Sequence, residues 1–166
     1  MTKIQRLVLA VLVLFLCTGF DQMTKGIARE ELASADPISL FNNTVRIVYS
    51  ENTGATLGIG ANLPASVRFA LFVLLNGLIL SVTLVAALKM HDLRLPQTVG
   101  LLLVASGGLG NLIDRLLNQG AAIDFLNLGI GSLRTGIFNV ADMLILAGAA
   151  IFMLSSLRAQ KKMTTI

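Results

Sequence analysis

Gly107 to Met143 reads GGLGNLIDRLLNQGAAIDFLNLGIGSLRTGIFNVADM, and long apolar runs lie on either side of it. The stretch holds three aspartates (Asp114, Asp124, Asp142), two arginines (Arg115, Arg134) and several asparagines. Ionisable groups beside hydrocarbon are costly, so chains rarely carry them without a use. What the flanking runs are, and why acids gather between them, together decide fold and function.

The flanking runs are membrane spans. Hydrophobic residues make up 55% of the 166 residues and charged residues only 13%, against about 25% charged in ordinary soluble domains. The mean hydropathy is +0.80. A single polytopic membrane domain over residues 1–166 fits these values. The net charge of +4 does not point to nucleic acid, because no basic cluster is interleaved with aromatics. Cys17 and His91 are the lone cysteine and histidine, too few for a disulfide framework or a Cys/His zinc site. A carboxylate-only metal site stays open.

Four spans are expected, at about 4–21, 67–88, 97–115 and 136–157. Lys3 and Arg6 before the apolar stretch Leu7 to Phe20 imitate a signal peptide, and Leu14-Phe15-Leu16-Cys17 imitates a lipobox. The residue before such a cysteine should be small, and no A-x-A-like cleavage site follows. The stretch reads instead as a first helix, with Cys17 a small buried hydrophobe. Asp21, Gln22, Thr24 and Lys25 read as its end, with Asp21 and Lys25 paired at i, i+4.

The second span carries Asn76, a candidate interhelical hydrogen-bonding group. A polar loop with a solvated His91, closed by Pro96, leads into the third. That span is rich in small residues that let helices approach closely. It ends with Asn111, Asp114 and Arg115 on one face. Asp114 is expected to pair with Arg115 or with a neighbouring loop. Residues 116–136 read as a loop carrying Asp124, and Asn139 and Asp142 fall in the first turns of the fourth span.

Between the first two spans, Ile38-Ser39-Leu40-Phe41 and Val45-Arg46-Ile47-Val48-Tyr49 are β-prone, with Asn42-Asn43 suited to a turn. A small sheet or hairpin is expected in an outer segment of about 38–60. The fold class is therefore all-α membrane protein, four helices with a small outer β-sheet or flap. Leu57-Gly58-Ile59-Gly60 echoes Leu128-Gly129-Ile130-Gly131, which chance explains in so Leu-, Ile- and Gly-rich a chain.

Charge orients the bundle. The side with both ends and the 89–96 loop holds Lys3, Arg6, Lys89, Arg94, Arg158, Lys161 and Lys162 against the single acid Asp92. The other side has more acids than bases. By the positive-inside rule both ends are cytoplasmic, and Asp21, Asp114, Asp124 and Asp142 lie on the outer side.

Asp124 sits in the apolar run Ala121-Ala122-Ile123-Asp124-Phe125, and Asp142 lies between Ala141 and Met143. A lone carboxylate in either place is expensive. Folded together, two carboxylates cannot both ionise easily, so one keeps a proton. The ionised member can deprotonate water while the other polarises an amide carbonyl, with no metal or nucleophilic side chain. A paired-acid hydrolase and a proton- or cation-coupled transporter both follow from such acids. A Ser/Lys peptidase does not, since Lys25 is the one lysine on the outer side.

Asp21-x-x-x-Lys25, Asn52-Thr53-Gly54-Ala55, Gly107-Gly108-x-Gly110-Asn111-x-x-Asp114-Arg115, Ile123-Asp124-Phe125 and Phe138-Asn139-x-Ala141-Asp142 occur in that order. Together they resemble the five sequence boxes of the bacterial lipoprotein signal peptidases (signal peptidase II). The resemblance covers Asp21 to about Ala147. It implies a four-helix aspartic endopeptidase of the inner membrane. Such an enzyme cuts the signal peptide from diacylglyceryl-modified prolipoproteins before the lipidated cysteine. It implies Asp124 and Asp142 as the catalytic pair, and Asn52, Gly54, Asn111, Arg115, Asn139 and Ala141 as residues that shape the site. Asp21, Lys25 and Asp114 are left as structural support. No cofactor is expected, and the partners are the prolipoprotein and membrane lipid, met by a monomer. Thr56-Leu57, Met143 and the lack of tryptophan depart from the family's usual pattern.

Overall fold

A computed structural model describes residues 1–54 and 63–164. The end of the expected outer segment, residues 55–60 with Ala55 and the first Leu-Gly-Ile-Gly, lies outside them. Four helices are long and apolar enough to cross a membrane: α1 (Lys3–Leu32), α2 (Ala65–Lys89), α3 (Leu95–Leu117) and α4 (Val140–Thr164). Large apolar side chains such as Leu7, Phe15, Leu74 and Leu146 face outward, while Arg6, Asp21, Lys25, Thr98, Ser106, Asp114 and Asn139 are buried. That inversion suits a lipid solvent, which rewards polar groups for finding each other.

α3 is the axis of the bundle. α1, α2 and α4 all pack on it, while α2 and α4 flank it and scarcely touch each other. Small residues allow the closest approach, as expected. A Cβ at Gly107 would overlap the Ala141 carbonyl oxygen, and one at Gly110 would overlap Asp21 Oδ2. By contrast, a Cβ at Gly108 meets only Leu80 Cβ, at 3.9 Å.

α1 does not stop at Asp21–Lys25. It continues to Leu32 and breaks before Pro37. Its 30 residues reach about 45 Å, longer than the ~30 Å of hydrocarbon. The extra turns bury Ala28 and Leu32 against Phe125. The polar residues at 21–25 mark helix–helix contact, not a helix end. Arg6, expected only as a topological charge, is buried too. Its guanidinium donates to the carbonyls of Ala87, Met90, His91 and Leu93, acceptors at the C-terminal end of α2 and in the loop that follows it. Cys17 is half-buried rather than buried.

The expected hairpin is present as β1 (Ile38–Leu40) and β2 (Val45–Asn52), turning through Phe41, Asn42 and Asn43 with positive φ. The expected loop 116–136 is not a loop. It contains β3 (Ala122–Ile130) and β4 (Leu133–Arg134), and the four strands form one antiparallel sheet in the order β1-β2-β3-β4. Residues 136–138 are extended, and Phe138 bridges Leu126, so α4 begins four residues later than expected.

Ala normally improves on Gly in a helix by about 1 kcal/mol, whereas overpacking a close contact costs about 1–3 kcal/mol. Gly107→Ala should therefore lower the thermal midpoint in detergent. Gly108→Ala should leave it unchanged or raise it. Equal behaviour of the two variants in a melting experiment would contradict the close α3–α4 contact.

Candidate active site

Three charged side chains meet between α1 and α3, near the start of α4. Lys25 Nζ lies 2.8 Å from Asp21 Oδ2 and 2.8 Å from Asp114 Oδ2, and donates to Asn111 Oδ1 at 3.0 Å. An ammonium has three protons and no acceptor, so these partners saturate it. Lys25 is 1% exposed and Asp21 0%. An ion so buried survives only with this quality of pairing. The expected Asp21–Lys25 pair thus exists, but Asp114 joins it instead of pairing with Arg115.

Each acid of this cluster also ties down another element. Asp21 Oδ1 accepts from Ala141 N–H at 2.7 Å, a free donor in the first turn of α4. Asp114 Oδ2 accepts from Ile123 N–H at 3.0 Å, at the start of β3. Gln22, which sequence reasoning did not single out, donates to Asp114 Oδ1 and to the Gly110 carbonyl.

Three asparagine amides then lead from the cluster to Asp124 and Asp142, and each is held in one orientation by a group that can only donate. Lys25 fixes the oxygen of Asn111, which turns Nδ2 toward Asp142 Oδ1 at 3.0 Å. The Asp142 N–H fixes the oxygen of Asn139 at 2.9 Å, which turns Nδ2 toward Asp124 Oδ1 at 2.6 Å. The Gly54 N–H fixes the oxygen of Asn52 at 3.0 Å, an Asx-type turn, which turns Nδ2 toward Asp124 Oδ2 at 2.9 Å. The Asn139 amide also reaches Asn111 Oδ1 and the Ile123 carbonyl.

Asp142 owes its place to a reciprocal helix cap. Asn139 Oδ1 accepts the Asp142 N–H while Asp142 Oδ2 accepts the Asn139 N–H at 3.1 Å, the arrangement of a capping box. The signal was present in the sequence as Asn139-x-x-Asp142. Asp124 owes its place to β3. There it lies opposite Ser50, just past an irregularity in the β2–β3 register between Ile47 and Ser50. Such bulges re-aim side chains next to sites.

Both acids line a cavity of about 180 Å³ together with Asn52, Asn111, Arg115 and Asn139. Phe72, Leu75 and Ile79 of α2 and Ile145 of α4 form an apolar wall, into which Asn76 of α2 is set. Burial pushes the Asp124 carboxyl up to about 6; the Asp142 charge adds to the rise, and the amides of Asn52 and Asn139 oppose it. Arg115 lies 5.6 Å over the Phe72 ring and donates to the carbonyls of Asn111 and Gly54. It thereby holds the chain just after β2. Ala141 is fully buried, where its N–H meets Asp21. Every candidate site residue named from the sequence thus falls in one connected network. Phe72 and Gln22 are additions to it.

The sequence model for signal peptidase (SPase) II matches residues 13–158. The lipoprotein signal peptidase of Borrelia hermsii (strain HS1 / DAH) is 31% identical, with 97% of this chain and 96% of the relative covered. That of Borrelia duttonii (strain Ly) is 29% identical with the same coverage. A solved structure described as a bacterial membrane enzyme, determined in meso at 2.3 Å resolution, superposes with a TM-score of 0.80. It is 27% identical and covers 92% of this chain and 90% of its own. A second such structure, at 1.9 Å resolution, gives a TM-score of 0.75 at 26% identity, covering 89% of this chain and 92% of its own. None of these likenesses supports a transporter. The model match across most of the chain, with the four-helix architecture shared by the solved structures, places this multi-pass membrane protein in the signal peptidase II family, as an aspartic peptidase.

Proposed function

We propose that Asp124 and Asp142 are the catalytic pair with which this peptidase removes the signal peptide from prolipoproteins. The observation that carries the reading is the shared cavity, in which one amide, Asn139, joins the two acids. The ionised member of the pair takes a proton from water, and the hydroxide oxygen bonds to the scissile carbonyl carbon. The protonated member gives its proton to the carbonyl oxygen as the double bond opens. As the tetrahedral species collapses, the C–N bond breaks, the amine leaves with the proton first taken from water, and a hydroxyl proton returns to the other aspartate as the carbonyl re-forms. The chemistry needs no metal, cofactor or nucleophilic side chain.

The membrane placement suits such a substrate. A signal peptide is itself an apolar span and arrives sideways through lipid. The gap between α2 and α4 lets it reach the acids without entering water. The cut falls before the diacylglyceryl-modified cysteine, whose acyl chains stay in the bilayer. Basic residues at the end of the bundle remote from the acids set that end in the cytoplasm, so the acids face the outer leaflet. All the groups in the site come from one chain, and the monomer is the working unit.

Asp124→Asn and Asp142→Asn should each cut turnover by roughly 10²–10⁴-fold or more. The assay is release of signal peptide from a diacylated prolipoprotein in lipid, with unchanged melting as the control for folding. Normal processing by either variant would falsify the pair.

Asp124 is protonated below about 6 in the folded protein against an ordinary value of 3.8. Folding therefore favours its protonated form. Its contribution to stability is full below the ordinary value and is lost as pH rises through about 6. In infrared titration, the carboxylic-acid carbonyl band that Asp124→Asn removes should vanish with a midpoint near 6. A midpoint near the ordinary value would show that burial does not act on this group.

A further inference from the structure

One polar side chain in the cavity wall has no role in the chemistry above. Asn76 lies in an apolar run of α2, Phe69–Leu80, about three turns in from Ala65. Asp142, by comparison, occupies the first turn of α4. Asn76 was expected to bond between helices, but its Nδ2 donates at 2.7 Å to the Phe72 carbonyl of its own helix. A carbonyl can only accept, so the amide orientation is fixed. Its Oδ1 is left without a donor among the described residues, in a cavity that also holds Asn111, Asp124 and Asp142. Ser81 and Thr83 of the same helix also bond back to their own backbone, but neither lines this cavity. An unpaired amide oxygen away from water is expensive, and a donor that enters the cavity would pair this one.

The substrate brings the matching group. A signal peptide crosses lipid as a helix, with its N–H groups satisfied internally. At the scissile bond it must be extended to expose the carbonyl to water and the acids. Extension frees N–H groups on the stretch just before the cut, the part that still lies in the membrane. Those donors need an acceptor at a depth where water is scarce. We infer that Asn76 Oδ1 accepts a hydrogen bond from a substrate backbone N–H on the amino side of the scissile bond. It thereby stabilises the unwound segment and helps place the cut. This inference rests on the peptidase reading of the same cavity. Asn76 is a substrate-binding residue and takes no part in proton transfer.

Asn76→Leu separates this role from a structural one. Leucine suits a membrane helix, so the variant should melt no lower than wild type. Its KM for a diacylated prolipoprotein peptide in bicelles should rise about tenfold, the effect of leaving one donor unpaired, with kcat within about twofold. Asn76→Ser can make the same bond back to the Phe72 carbonyl and still offer lone pairs to the cavity, so it should recover part of the affinity. Substrates in which single amide N–H groups before the cut are replaced by ester oxygens give the decisive cycle. One such position should weaken wild type as much as Asn76→Leu does, and should weaken the variant no further. An unchanged KM in Asn76→Leu, a loss confined to kcat, or additive ester effects at every position would each overturn the inference. Should wild type fail to cleave the peptide at all, the acid-pair reading falls instead. The affinity of wild type and Asn76→Leu for the intact peptide, measured in the same bicelles, then still decides whether Asn76 binds it.

Discussion

The joint between the helix bundle and the sheet depends on the three protons of the Lys25 ammonium. Two go to Asp21 and Asp114, and the third to Asn111. The first two contacts make a buried charge affordable. Through the same acids, α1 is bonded to the first turn of α4 and α3 to the start of β3. The third contact turns an amide and so sets which atom faces Asp142. A lysine that holds two carboxylates also links the membrane part of the fold to the sheet. Its removal would leave two uncompensated buried acids, the costly case for an ion pair.

This cluster forms only because the backbones come close together. Gly107 and Gly110 bring α3 against Ala141 and Asp21 with no side chain between. Ala141, fully buried, leaves room for the Asp21 carboxylate to reach its N–H. Small residues here serve two purposes. They provide the van der Waals contact that holds helices together in lipid, and they keep the polar groups within bonding distance. The close packing and the charge network are consequently one arrangement, and neither can loosen without the other.

Much of this was legible in the sequence, and the exceptions have physical causes. The spans follow from uninterrupted apolar runs, and the β1–β2 hairpin from its alternation and the Asn42-Asn43 turn. The meeting of Asp124 and Asp142 in one cavity was expected from the cost of lone acids in apolar surroundings. The extension of α1 was hidden, because Asp21 and Lys25 look like a water-facing end when their partners lie far along the chain at Asn111, Asp114 and Ala141. Arg6 misled in the same way, since the carbonyls it caps are some eighty positions away. β3 was missed because its first residues are buried on both faces, so it lacks the alternation that marks a half-exposed strand. The Asn139–Asp142 cap was a local signal and could have been read directly.

The two acids reach the cavity by unrelated routes, and this explains why the sheet matters to a membrane peptidase. Asp142 is set by the helix cap at the start of α4. Asp124 is set by a strand whose register depends on β2, and β2 in turn carries Asn52 and runs into Gly54, held by Arg115. Asn139 is the residue that touches both, through one amide and one backbone turn. Helices alone could fix one acid, but they could not bring a second one over it. The cavity that holds both acids is therefore built from the bundle and the sheet together, and loosening either would separate them.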